Sequence, residues 1–434
     1  MKNSRTLAVS GGKSNKQGTR TRVTGSMPKP SFMADFVRGR YSVRGEDKTY
    51  ESIITTTRGS TGNVVGPNGL IVSVAANIPR FDYDPVTLKP LGLLTEEART
   101  NIVLQSADLT KWVAQQTTVT PSTVVAPDGT TTAILAISNS VQAWHQVRSQ
   151  VFQVTQGVTY SASVYVKSAG LTTTRLTFEN AAFFSTAHAG RFNLATGTVM
   201  SGVDARIVPA GDGWYRISVV STALATGTTI IALGLGGDIV SGNDQDGLIL
   251  FGPQVEAGGA CSSYNPTITT SVARAADLIR VMDIVPWFNQ TQGTLLLEFE
   301  PGVIGIGGVA AGVWLSQVSV ANSSVAVRKN NTQGGINGVI SSKTGAVQLN
   351  AAMSTKLVPL GQTCKAALSY DANSAIMCLD GQPAMSKDTI ELPTPELMTI
   401  GSTGNGQQFT NGHVKRILYF PQKLTESQLR ALTK

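Results

Sequence analysis

A chain of 434 residues is too long for one ordinary hydrophobic core, so two or three domains joined by short linkers are expected. Its 44 glycines and 14% charged residues describe a turn-rich, weakly charged protein, and abundant Thr, Val, Ser and Ala favour strands over helices. The net charge of +8 argues against nucleic-acid binding by the folded body, because Lys2, Arg5, Lys13, Lys16, Arg20, Arg22 and Lys29 carry seven positive charges with no acidic neighbour; removing those seven leaves +1.

Residues 1–34 therefore read as a basic arm rich in Gly, Ser and Asn, unable to bury enough apolar surface to fold alone and ordered only by a partner. An acidic protein surface in an assembly is the first choice of partner. Nucleic acid is a distant second, and a solvated tail is the bland alternative. Leu7, Ala8 and Val9 are too short an apolar run for a signal-peptide core, and no stretch approaches the roughly 20 apolar residues of a membrane span, so no membrane insertion is expected. Cys261, Cys364 and Cys378 have no metal-ligand or CxxC spacing and read as buried thiols made in a reducing cytoplasm, with exit by lysis or on a particle.

Residues 35–100 carry strand-like runs broken at Gly39, Gly45, Gly62 and Pro67-Asn68-Gly69. From Pro79 to Thr100 they predict an extended connector with no core of its own and a short helical turn at Glu96-Glu97-Ala98. Residues 101–280 predict strand after strand, among them 159–166, 175–179, 214–222, 229–235 and 248–256. Without amphipathic helices between them, such strands require a sandwich or jelly roll. A second β-unit occupies 284–434, opening at Gly293–Phe299 and closing at Gly412–Phe420. One helix follows, with Thr425 as N-cap and Leu429 and Leu432 on one side. The predicted fold is all-β: two β-sandwiches after an extended N-terminal anchoring arm.

Several of these runs match a known pattern. Arg80-Phe-Asp-Tyr-Asp-Pro85, Gly92-Leu-Leu94 and Glu96-Glu97-Ala98-Arg99-Thr-Asn101 form a segment similar to a linker of phage tail-fibre and other virion proteins. Ser163–Lys167, Gly213-Trp-Tyr-Arg216, Phe251–Glu256, Tyr264–Thr267 and Arg274-Ala-Ala-Asp277 resemble a carbohydrate-binding-module-like jelly roll. The C-terminal unit resembles a concanavalin-A or laminin-G-like sandwich, through Gly293–Phe299, Met377–Gly381 and Val414–Tyr419. The resemblance implies a tail or capsid fibre made in the host cytoplasm and carried on the virion. Its arm would contact other virion proteins and its sandwiches a host cell-surface glycan. Fibres of this kind are commonly trimeric homo-oligomers, although no heptad repeat here enforces that number.

Sugar binding by sandwich domains uses an aromatic face against a pyranose, with amides and carboxylates on its hydroxyls. Trp144, beside His145 and Gln146, has suitable polar company, with core or strand-edge packing as the competing reading. Trp214 reads as core. Asn405, Gln407 and Asn373 stand in predicted loops that serve equally as plain turns. Asp244 and Asp246, in Asn243-Asp-Gln-Asp-Gly247, supply oxygen ligands suited to Ca²⁺ but lack the EF-hand spacing, so a hairpin turn competes there and no cofactor is required.

Catalytic signatures fail. Gly12-Lys13-Ser14 lacks the first phosphate-loop glycine because Leu7 occupies it, and Gly305-Ile-Gly307-Gly-Val-Ala310 precedes a strand instead of a helix. His145, His188 and His413 are scattered. A glycan hydrolase would need a carboxylate pair, and the spacing of Glu179, Asp204, Glu256 and Glu298 brings none together. The chain is expected not to be an enzyme, with purely structural capsid or tail decoration that stiffens the particle without binding glycan as the alternative to glycan adsorption.

Overall fold

The computed structural model describes residues 27–179, 184, 188–237, 239–302, 309–317, 323–330, 336–342, 344–353 and 361–434. Six of the seven basic anchoring residues and the Gly305–Gly307 fingerprint lie outside them; Lys29 is exposed.

The chain is all-β, as its composition predicts, and it is built around two sandwiches. The first packs a seven-stranded sheet on a six-stranded one. The seven-stranded sheet runs Val113–Gln115, Gln146–Arg148, Gly227–Leu235, Thr173–Glu179, Ala189–Asn193 and Thr198–Ser201, with Phe152–Val154 also pairing with Gly227–Leu235. The six-stranded sheet runs Thr117–Pro121, Ile134–Ser138, Gly247–Ala257, Thr159–Ala169, Tyr215–Thr222 and Arg206–Pro209. Alternate side chains fill the space between them, including Ala162, Val164, Val166, Leu176, Phe178, Ile217, Val219, Ile231 and Leu233. Gly247–Ala257 is buried on both faces up to its last residue, because a second cluster of Tyr165, Trp214, Phe251 and Tyr264 covers the outer side. Trp214 is thus core, with its indole N–H donated to the Val125 carbonyl at 3.1 Å.

The second sandwich draws on both ends of the chain. Its ten-stranded sheet contains Gln292–Glu300, Cys364–Asp371 and Gly412–Phe420, and Phe32–Asp35 adds beside Gly412–Phe420 with Phe32 opposite Tyr419. Pro90–Thr95 pairs with the start of that same strand, bringing Phe81–Tyr83 with it. In the opposing seven-stranded sheet Thr55–Thr57 pairs with Leu278–Val281. Phe32, Tyr41, Tyr50, Ile54 and Leu93 consequently share one core with Leu295, Val313, Met377 and Tyr419.

Three expectations change here. The arm read as residues 1–34 does not extend that far, because Phe32–Asp35 is already a buried strand of the C-terminal sheet. Residues 35–100 supply strands to the C-terminal core, because apolar side chains at alternate positions find their partners only across that long separation. Glu96–Ala98 forms no helical turn; it is straight backbone held by side chains from elsewhere, and the short helix of this region is Tyr50–Ile53. The C-terminal helix forms as read, over Glu426–Thr433, with Thr425 and Gln428 making a reciprocal capping box.

The motif residues of the sequence meet between the sandwiches. Arg58, Arg80 and Arg274 are among the largest fully buried side chains, at 1%, 0% and 1% exposure. Asp277 accepts from Arg58 Nη1 at 2.9 Å, from Arg80 through Nε and Nη2, and from the Glu96 backbone N–H at 3.0 Å. Glu96 accepts from Arg80 Nη2 at 2.7 Å and from the Ser263 N–H and hydroxyl, each at 2.8 Å. Burial alone would raise the Glu96 carboxyl, but Arg274 and Arg80 hold it well below the usual carboxylate range. Asn101 ties in the next strand, accepting from the Val255 N–H at 3.0 Å and donating to the Asn265 carbonyl at 2.8 Å. Buried charges of this density persist only when each is paired and hydrogen-bonded.

Candidate carbohydrate-binding face

The outer face of the seven-stranded jelly-roll sheet carries two rows of side chains fixed by strand register. One row crosses Gln115, Gln146, Gly234, Arg175 and Arg191, and the next crosses Val113, Arg148, Ala232, Thr177 and Ala189. Gly234 and Ala232 put minimal side chains mid-sheet, so the longer polar groups on either side stand as walls of a trough. Its cavity of about 370 Å³ is lined by Gln115, Trp144, Gln146, Arg148, Arg175 and Glu179, together with Thr177, Phe178 and His188.

Trp144 stands at one wall, half-buried, with the Arg175 guanidinium carbon 4.9 Å from its ring centroid. Arg148 pairs with Glu179 at 2.8 Å, both partly exposed, and also approaches Gln115 Oε1 at 3.4 Å. The trough therefore offers an aromatic surface, guanidinium and amide donors, and carboxylate and amide acceptors within one concavity. Hydroxyl-rich ligands are bound by this combination.

Of the residues singled out from sequence, Trp144 and Gln146 line the trough. His145 points elsewhere: it is 1% exposed and its Nε2 lies 3.1 Å from Asn139 Oδ1, because successive strand residues alternate faces. Asn405 and Gln407 belong to the other sandwich, in the loop before Gly412–Phe420, and their side chains bond each other at 3.3 Å. Asn405 also accepts from Thr403 at 2.5 Å. They are loop-closing groups and do not join Trp144.

Asp244 and Asp246 sit in a turn organised by Asn243, whose Oδ1 accepts from the Gln245 and Asp246 N–H groups while its amide donates to Asp246 Oδ2 at 2.7 Å. Asp244 adopts φ 59°, as such a turn demands. Among the described residues no group of three or more His, Cys, Asp or Glu is placed to hold a metal. The four carboxylates considered for hydrolysis are dispersed: Glu179 pairs with Arg148, Glu298 with Arg416 at 3.0 Å, and Glu256 accepts from Ser262, while Asp204 occupies an exposed turn.

Sequence reasoning missed Arg148, Arg175, Thr177 and Gln115. The available signal was the period-two polar pattern at 146 and 148 and at 175, 177 and 179. It marked a solvent-facing strand surface without showing that the strands adjoin.

No protein-family model matches the chain, and no curated protein does. Solved structures of similar shape include the CBM40 of Ruminococcus gnavus IT-sialidase bound to α2,3-sialyllactose, 14% identical with TM-score 0.28 over 34% of this chain and 84% of that one. Domain 4 of AbnA, a GH43 extracellular arabinanase from Geobacillus stearothermophilus in complex with arabinotriose, is 15% identical with TM-score 0.31, covering 40% and 82%. A heptameric SAP-like pentraxin from Limulus polyphemus is 13% identical with TM-score 0.25, covering 34% and 74%. At these scores no ligand is carried over from them. The class defined by the chain's own strands is an all-β protein of packed β-sandwiches. No helix among the described residues is long and apolar enough to cross a membrane.

Proposed function

We propose that this chain is a non-enzymatic structural protein of a phage virion, a tail or capsid fibre, whose jelly roll holds a host-surface glycan in the trough beside Trp144. The observation that carries glycan binding is the convergence of Trp144, Arg148, Arg175, Glu179 and Gln146 in one concavity. Support for the virion role is the resemblance of residues 80–101 to a linker of phage tail-fibre and other virion proteins. The basic arm, Lys2 to Lys29, docks to other virion proteins, and several copies on one particle turn weak single sites into firm adsorption.

A purely structural spacer is the second reading. The observation favouring it is that Arg148 and Glu179, and Arg175 and Trp144, already satisfy each other. An array of host-envelope glycans probed with the full chain separates the two. Retention of a defined glycan supports adsorption, and silence across the array retires it in favour of the spacer. Particles assembled with a chain lacking residues 1–29 should lose the protein; undiminished incorporation would overturn the anchoring role.

A further inference from the structure

On the opposite side of the jelly roll, the outer face of the six-stranded sheet is roofed by the hairpin of Gly62–Val65 and Ile71–Val74. Between them lies a cavity of about 290 Å³, closed by Pro85 on one side and the Gly259–Cys261 segment on another. Its walls are mainly apolar, from Val65, Ile71, Pro85, Val208, Pro209 and Val220.

Two guanidinium groups line the same space. Val208 is opposite Arg216, and Arg206 opposite Ser218, so register puts both arginines on one face of adjacent strands. Arg216 lies with its guanidinium carbon 5.3 Å from the Tyr165 ring centroid and donates to Ser163 Oγ at 3.0 and 3.3 Å. Neither arginine forms an ion pair with a described carboxylate. The acidic groups near Arg216 are committed elsewhere: Glu256 accepts from the Ser262 N–H and hydroxyl at 2.9 and 2.7 Å, and Glu96 from Arg80.

Two unpaired guanidinium groups at the wall of an apolar cavity are a receptor for an anion with a hydrocarbon body. Guanidinium matches a carboxylate in planar, bidentate fashion. The volume falls at the small end of ligand pockets, which run from about 300 Å³ upward, so the hydrocarbon part must be short. We infer that this cavity is a binding site for a small amphipathic carboxylate, with its carboxylate on Arg206 and Arg216 and its aliphatic or aromatic body against Val65, Ile71 and Pro209. The site is separate from the trough, and its occupancy would brace the 62–74 hairpin on the jelly roll.

Calorimetric titration of the full chain with sodium octanoate tests this, with acetate and 1-octanol as comparators. Octanoate should bind at least about tenfold more tightly than either, since the carboxylate and the chain both contribute. Arg206→Gln should weaken octanoate by about tenfold while leaving 1-octanol unchanged; Arg206 is partly exposed and forms no described ion pair, so this variant retains the fold. Cys261 reports the location: Cys364 and Cys378 are buried, so maleimide labelling of the native chain reads mainly Cys261, and octanoate should slow it. Absence of octanoate binding at millimolar concentration, equal affinity for octanoate and 1-octanol or for octanoate and acetate, indifference to Arg206→Gln, or unprotected Cys261 would each overturn the assignment. Trp144→Ala should leave octanoate affinity untouched, so failure of the glycan reading and of this one remain distinguishable.

Discussion

Replacing Asp277 by Asn keeps its shape and removes one charge from the junction between the sandwiches. The carboxylate is 1% exposed and serves Arg58, Arg80 and the Glu96 N–H. In the variant an amide N–H₂ faces guanidinium donors; Arg80 and Arg274 keep Glu96 as a partner, while Arg58 loses its ion pair with Asp277. Breaking a buried ion pair by removing one partner costs about 3–5 kcal/mol, a large part of the roughly 5–15 kcal/mol that holds a domain together. Urea unfolding followed by tryptophan fluorescence should therefore show a much lower midpoint. Glu179→Gln, which breaks the half-exposed pair with Arg148, serves as the control and should cost no more than about 1 kcal/mol. A loss for Asp277→Asn no larger than that of the control would refute the claim that this network clasps the molecule. Because the Glu96 carboxyl is held low, its contribution is present above the ordinary carboxylate range and is lost only as pH falls through its depressed folded value.

Other outcomes follow from the same packing. His413 is raised to about 9: burial alone would lower it, but its hydrogen bond to Asp82 at 2.8 Å and the facing Glu300 more than compensate. It stabilises the fold fully below its unfolded value near 6.5 and loses that contribution as pH rises through about 9, so wild type and His413→Gln should differ more in urea midpoint at pH 6 than at pH 10. Thr425→Ala removes the helix cap and should cost about 1 kcal/mol in the same assay. A chain starting at residue 30 should unfold like the full chain, whereas one starting at residue 36 loses the Phe32–Asp35 strand and should be severely destabilised; equal midpoints would contradict the pairing with Gly412–Phe420.

Much of the fold was legible because half-buried strands advertise themselves by alternation. The readings at 159–166, 175–179 and 248–256 fall within the strands Thr159–Ala169, Thr173–Glu179 and Gly247–Ala257, and Gly412–Phe420 matches to the residue. The Thr425 cap was legible for a similar local reason. Long-range pairing was not: nothing near Phe32 records that its neighbour is Tyr419, and a connector looks coreless when its core lies in another part of the chain. Arg58 is equally opaque, since arginine is ordinarily exposed and its burial depends on carboxylates brought in by the fold. The motif residues Arg80, Glu96, Arg274 and Asp277 were visible as a pattern, but their physical meaning, a buried charge network, emerges only in three dimensions. At the trough, Trp144 could be picked out by its aromatic character, while Arg148 and Arg175 needed the strand order to become its neighbours.

The claim that the trough is the adsorption site is tested most directly by calorimetric titration of the array-selected glycan into the full chain, Trp144→Ala and Glu179→Gln. Each substitution should weaken binding by about tenfold or more, the loss typical of a stacking surface or a charged hydrogen-bond partner, with the urea midpoint shifted little. Unchanged affinity in both variants would place the glycan elsewhere and contradict the trough.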